Sequence, residues 1–355
     1  MKIKFARVLA VISMVASTVV SAQSTPTGAL LALSKKDHTL AIVNPATLEV
    51  IAKVPIGNDP HEVIASSDGK TAYVSNYGFG AFNTLAVVDL VGHKAFPAID
   101  LGPLRGPHGL DFVGGKVWFT AEAAKALGSY DPATMKVDWI LGTGQNRTHM
   151  IYVSPEMKWI VTTNVSSGTV SIIEKTAARP GPPPGGPPPG GSGGPPPGPP
   201  PGPPGGDWNE TIIPVGNGSE GFDISPDGRE IWVANSQDGT VSIIDAAKKQ
   251  VTQTLDVNAK GANRLKFTLD GKLALISTLR GPDLLILDTA TRKVIKLLPI
   301  GHGAAGILMQ PDGSRAFVAC SPDDYVTVID LKSLSIAGHI DVGGNPDGLA
   351  WASRQ

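Results

Sequence analysis

Residues 221–245 read GFDISPDGREIWVANSQDGTVSIID, one unit of a pattern that recurs along the chain. A short apolar segment meets the turn Pro226-Asp227-Gly228. An apolar strand ending in Asn235 follows, then a polar turn. The unit closes on Val241-Ser242-Ile243-Ile244 and Asp245. Short β-branched runs bounded by turn residues read as strands. The turn recurs as Ser67-Asp68-Gly69, Leu269-Asp270-Gly271 and Pro311-Asp312-Gly313. The closing strand ends at Asn44, Asp89, Asp131, Glu174, Asp245, Asp288 and Asp330, with spacings of 45, 42, 43, 71, 43 and 42. The one long spacing contains residues 180–206, almost pure Pro and Gly. Such a segment cannot bury a core and is expected to be a solvated, disordered loop inserted in one blade.

A period near 43 residues with four strands per unit is the signature of propeller blades. Seven copies predict an all-β, seven-bladed β-propeller with four antiparallel strands per blade, forming a single domain over 23–355. Helical periodicity is absent over any useful length. The N-terminus supplies only three strands of its blade, near Leu30–Ser34, Thr39–Val43 and Val50–Ile56. The missing innermost strand appears at the other end, as Pro346-Asp347-Gly348-Leu349-Ala350-Trp351. Pairing these segments closes the ring and removes an open sheet edge.

Tyr73-Val74-Ser75-Asn76, Trp232-Val233-Ala234-Asn235 and the Val-Ser-Ile-Ile-Asp strand resemble the YVTN family of β-propeller repeats. The resemblance covers nearly all of the chain after the first 22 residues, apart from the Pro/Gly insert. It implies the propeller fold. It leaves open surface-layer, lactonase-like, streptogramin-lyase-like and redox-cofactor-carrying functions, because fold does not choose among functions.

The first 22 residues stand apart from the repeat. Lys2, Lys4 and Arg7 precede an apolar run from Val8 to Val20, and Val20-Ser21-Ala22 offers small residues for cleavage. This reads as a secretory signal peptide cut after Ala22, with the periplasm or the exterior as destination. The apolar run is too short to span a membrane comfortably, and no second one follows. Removing the three basic residues from the 30 Lys and Arg leaves 27 against 31 Asp and Glu. That balance excludes the basic footprint of a nucleic-acid binder. Cys320 is the single cysteine, so no disulfide forms within the chain. A monomer stabilised by its hydrophobic core is expected.

Aligning the innermost strands gives one equivalent position per blade: His61, His108, His149, Glu220, Asn263, Ala305 and Asp347. Equivalent positions in a closed ring converge on the channel mouth. Three imidazoles and a carboxylate from consecutive blades resemble a zinc or copper ligand set, so His61, His108, His149 and Glu220 are the candidate metal ligands and catalytic residues. Without a metal, a histidine and a carboxylate there serve as general base and acid. The alternative is a ring of polar residues that keeps the mouth wet. Arg147, Arg264, Glu62, Glu122, Asn263 and Asp347 are candidate substrate-binding residues on the same face. The loop Tyr77-Gly78-Phe79-Gly80-Ala81-Phe82-Asn83 is a candidate lid or, alternatively, a loop packed on its neighbour.

Two functions remain open. One is a lactonase- or lyase-type enzyme acting on a small anionic or cyclic ester substrate, with or without a divalent metal. The other is a non-catalytic module for a partner protein, an envelope component, a metal or a redox cofactor. A c-type haem is excluded by the absence of CxxCH.

Overall fold

The computed structural model describes residues 28–176 and 207–353. The expected signal peptide and Pro/Gly insert lie outside them. Seven four-stranded antiparallel sheets form a seven-bladed propeller. Blade 1 contains Gly28–Ser34, Thr39–Val43 and Val50–Pro55, with Pro346–Ser353 as its innermost strand. The chain ends therefore close the ring as their sequences predict, with Leu30 opposite Trp351 and Leu31 opposite Ala350. Blades 2 to 7 begin at the innermost strands Pro60–Ala65, Pro107–Val113, Thr148–Val153, Ser219–Ile224, Ala262–Phe267 and Ala304–Met309. In blade 4, Thr169–Lys175 and Trp208–Pro214 flank the Pro/Gly insert as third and fourth strands.

The recurring polar residues of the repeat are structural fasteners. The amides of Asn76, Asn164 and Asn235 donate to the hydroxyls of Thr84, Thr169 and Thr240 on the adjacent third strand. The aspartates that end the third strands accept backbone N–H groups of the next turn, as Asp89 does from Val91 and Gly92. Apolar side chains of the middle strands fill the space between blades. Trp232, Phe119 and Phe317 are fully buried, each stabilising the fold by roughly 2–3 kcal/mol on area grounds. Cys320 ends a second strand, is buried and has its thiol pushed up to about 11 by that burial, which suits a packing residue.

One irregularity builds the site. In each of blades 2 to 7, the ladder between first and second strands shifts register just after the first residue of the innermost strand. Blade 1 shifts at the matching place. Such bulges bend a strand and re-aim its side chains. The second residue of each innermost strand sits at this bulge, and those are the seven ring positions. A second-strand hydroxyl then ties neighbouring blades together. Thr120 accepts the Gly109 N–H and donates to the His149 carbonyl. Gly109 is required there, because a Cβ would lie 2.5 Å from that carbonyl oxygen.

Candidate functional site

His108 occupies the centre of the polar arc. Its side chain is 0% exposed, and neither ring nitrogen has a hydrogen-bond partner among the described residues. Burial, helped by His149, His61, Arg264 and Arg147, holds its pKa well below the ordinary value and keeps it neutral. Its ring packs 3.7 Å from that of His149 and 4.3 Å from that of His61, centroid to centroid. An unpaired, buried imidazole is costly unless something accepts or donates to it.

His149 has the opposite surroundings. Its Nδ1 lies 2.5 Å from Glu122 Oε1, and its Nε2 lies 2.8 Å from Glu220 Oε2. Burial opposes charge on the ring, but Glu220 and Glu122 outweigh it and raise the His149 pKa. The reciprocal effect holds Glu220 at about 2 despite its own burial. Glu122 is likewise lowered, its desolvation overcome by His149, Tyr77 and Arg147. The Tyr77 hydroxyl donates to Glu122 Oε2 at 2.5 Å, and Arg147 Nε stands 3.5 Å from the same oxygen. Desolvation and Glu122 push the Tyr77 phenol far up.

One ligand atom each from His108, Glu122 and His149 lies within 4.8 Å of the others. Ligands of a tetrahedral zinc at about 2.1 Å stand roughly 3.4 Å apart, which is the scale of this grouping. The donor set is one neutral imidazole, a second imidazole and a carboxylate, which fits zinc. The grouping differs from the four residues read off the sequence. Glu122 joins His108 and His149, whereas Glu220 lies on the far nitrogen of His149.

His61 is engaged elsewhere. Its Nδ1 is 2.5 Å from Lys35 Nζ and 3.0 Å from Asp347 Oδ2. Lys35 also pairs with Asp59 at 3.1 Å. Burial pushes the Asp347 carboxyl up, yet His61, Lys35 and Arg264 hold it well below the usual range. Arg264 is buried and paired with Glu62, and it donates to Asn263 Oδ1 at 3.2 Å. Glu62 and Arg264 line a cavity of about 380 Å³ further down the channel. Ala305 is buried and contributes no polar atom from its side chain.

Lys35 escaped the sequence reading, and Tyr77 entered it only as part of a loop. A register signal was present for both. The residue immediately after each second strand is Lys35, Tyr77, Glu122, Val165, Ser236, Leu279 and Ser321 in blade order. This is a second ring, four of whose members lean on the next blade. Lys35 reaches His61, Tyr77 packs 5.0 Å from His108, Glu122 reaches His149, and Ser321 donates to the Pro346 carbonyl. The Tyr77–Asn83 loop is anchored on its neighbour: Arg105 donates to the Gly80 and Ala81 carbonyls. Beside it lies a surface pocket of about 380 Å³ lined by Tyr77, Phe79, Gly80, Glu122, Ala123 and Arg147.

Neither a protein-family model nor a curated protein matches the chain. Solved structures do. A functionally unknown protein from Desulfotomaculum acetoxidans superimposes with a TM-score of 0.70 at 14% identity, covering 92% of this chain and 99% of that one. A Bacteroides fragilis protein described as a "putative 6-phosphogluconolactonase" gives 0.70 at 15% identity, covering 93% and 99%. Hydrazine synthase of Kuenenia stuttgartiensis gives 0.63 at 16% identity, covering 82% and 89%. At such identities the likeness establishes the propeller fold alone.

Proposed function

We propose that this protein is an exported propeller of the YVTN type whose channel mouth binds a divalent metal, zinc in the first place, and hydrolyses a small cyclic or anionic ester. His108 carries this reading: a sealed, neutral imidazole whose two nitrogens have no partner among the described residues, within ligand reach of His149 and Glu122. His108, His149 and Glu122 would hold the ion. Glu220, on His149 Nε2, is the carboxylate that orients a ligating imidazole and fixes its tautomer. A bound ion would supply Lewis-acid polarisation of a carbonyl and a more acidic water. Tyr77 and Arg147 secure Glu122 from the pocket side. The description of the Bacteroides fragilis neighbour as a lactonase supports the ester class.

His149 adds a pH rule. In the absence of metal its proton supplies the positive charge between Glu122 and Glu220, and a ligating His must lose that proton. Metal affinity is therefore expected to rise as pH rises through the elevated His149 pKa.

Metal analysis of the purified protein tests the reading. Stoichiometric zinc or copper, lost in His108→Ala and His149→Ala along with lactone hydrolysis, is the expected result. A metal-free protein whose two variants keep every hydrolytic and binding property would assign the cluster to holding the ring together. N-terminal mass analysis of the protein secreted by a bacterial host tests cleavage after Ala22.

A further inference from the structure

The residue two positions before each ring residue has a left-handed backbone in all seven blades: Asp59, Gly106, Arg147, Gly218, Gly261, Gly303 and Asn345, with φ between 46° and 88°. Only glycine adopts this conformation freely, and Asn and Asp tolerate it best among the rest. Six blades obey that rule. Blade 4 alone places a long, β-carbon-bearing arginine there. Bulky left-handed residues also occur in the turns between third and fourth strands, at Leu48, Met135, Arg292 and Leu334, so Arg147 is marked by its register beside the ring and not by its φ alone.

The place of the exception is informative. Arg147 lies in the blade whose ring residue is His149, and it lines the pocket that opens beside Glu122. Its backbone is held, since its carbonyl accepts the Val165 N–H at 2.9 Å. Its side chain is 42% exposed, and its close charged partner is one carboxylate at 3.5 Å. Phe79 lines the same pocket. It is also left-handed, with φ 49° and ψ 41°, and its side chain is 85% exposed. An exposed aromatic ring and a guanidinium fork thus face one cavity, each on a backbone its residue type disfavours.

We infer that this pocket recognises an oxyanion carried on a flat apolar group, the carboxylate or phosphate on Arg147 and the apolar face against Phe79. A guanidinium fork matches either oxyanion in bidentate fashion. Aromatic faces favour stacked or edge contacts with a planar group. As a substrate assignment this rests on the hydrolytic reading of the neighbouring cluster. The recognition itself needs no turnover.

Calorimetric titration with benzoate, phenyl phosphate, formate and benzyl alcohol tests it, on the protein as purified and again after dialysis against a chelator. Benzoate or phenyl phosphate is expected to bind at least tenfold more tightly than formate and benzyl alcohol, and their ratio identifies the preferred oxyanion. Arg147→Gly should lose at least tenfold in that affinity, Arg147→Lys less, and Phe79→Ala should bring benzoate down to formate. Arg147→Gly relieves the backbone but gives up the Glu122 contact, so its melting temperature should stay within a few degrees of the parent. Unchanged anion affinity in Arg147→Gly, or no aromatic preference in either form of the protein, would overturn the inference. So would a melting temperature several degrees below the parent, which would make the arginine a fold-holding residue. Arg147-dependent binding in a protein that holds no metal would retain this inference while the metal reading fails.

Discussion

On one side of the channel mouth, His61, His108, His149 and Glu220 occupy four consecutive ring positions. Across from them, Ala305 occupies the same register, preceded by Gly303 and flanked by Ser321 at the second-ring position. Backbone, bulge and strand pairing are alike on both sides. The alanine arc is buried and its blade closes normally. A charged or aromatic ring residue is therefore no requirement of the propeller. The histidine arc carries two desolvated imidazoles and two carboxylates that the fold does not demand.

Breaking the charged arc should have the largest effect. Glu122→Gln removes a buried carboxylate that balances His149 and receives Tyr77. Removing one partner of a buried pair costs on the order of 3 kcal/mol. The variant is expected to lose metal and to melt several degrees lower, read by calorimetry. A substitution at Ser321, its counterpart beside Ala305, is expected to change neither metal content nor hydrolysis. Equal losses at both positions would erase the distinction between the arcs.

The pH dependence of stability sharpens the same contrast. His108 has a depressed pKa in the folded state, so the unfolded chain binds its proton first. Its contribution is present above the ordinary histidine value of about 6.5 and is lost as pH falls below it. His149 has a raised pKa, so its contribution is full below about 6.5 and is lost as pH rises through the folded value. Each limb has a slope of at most about 1.4 kcal/mol per pH unit. His108→Ala should flatten the acid limb and His149→Ala the alkaline limb in metal-free denaturation curves. Glu220, with its folded value near 2, adds a loss between pH 4.5 and 2. Identical profiles for parent and variants would refute the assigned protonation states.

The smallest effect tests the left-handed register in blade 1, beside the alanine blade. Asn345 has φ 50°. Asn345→Ala is expected to cost about 1 kcal/mol and Asn345→Gly close to nothing, visible as a shift of about 2 °C in Tm. An alanine tolerated without loss would weaken the reading of Arg147 as an exception.

Much of this molecule is legible along the chain because its information is periodic. The Val-x-Ile-Asp strands, the Asp-Gly turns and the split first blade each report a local conformation. Repetition at about 43 residues turns those local signals into seven blades and a closed ring. The same alignment places His61, His108 and His149 at one register, since a symmetric ring forces equivalent positions together. It also flags Arg147, once the residue types two positions earlier are compared.

Partnership is different, because it depends on where side chains lean across blade boundaries. His61 turns to Lys35 and Asp347, whereas His149 is taken by Glu122 and Glu220. His108 is left without a partner among the described residues. Three identical residues at one register thus acquire three different sets of partners. Burial, distance and the next blade's second ring decide among them, and those quantities exist only once the ring has closed.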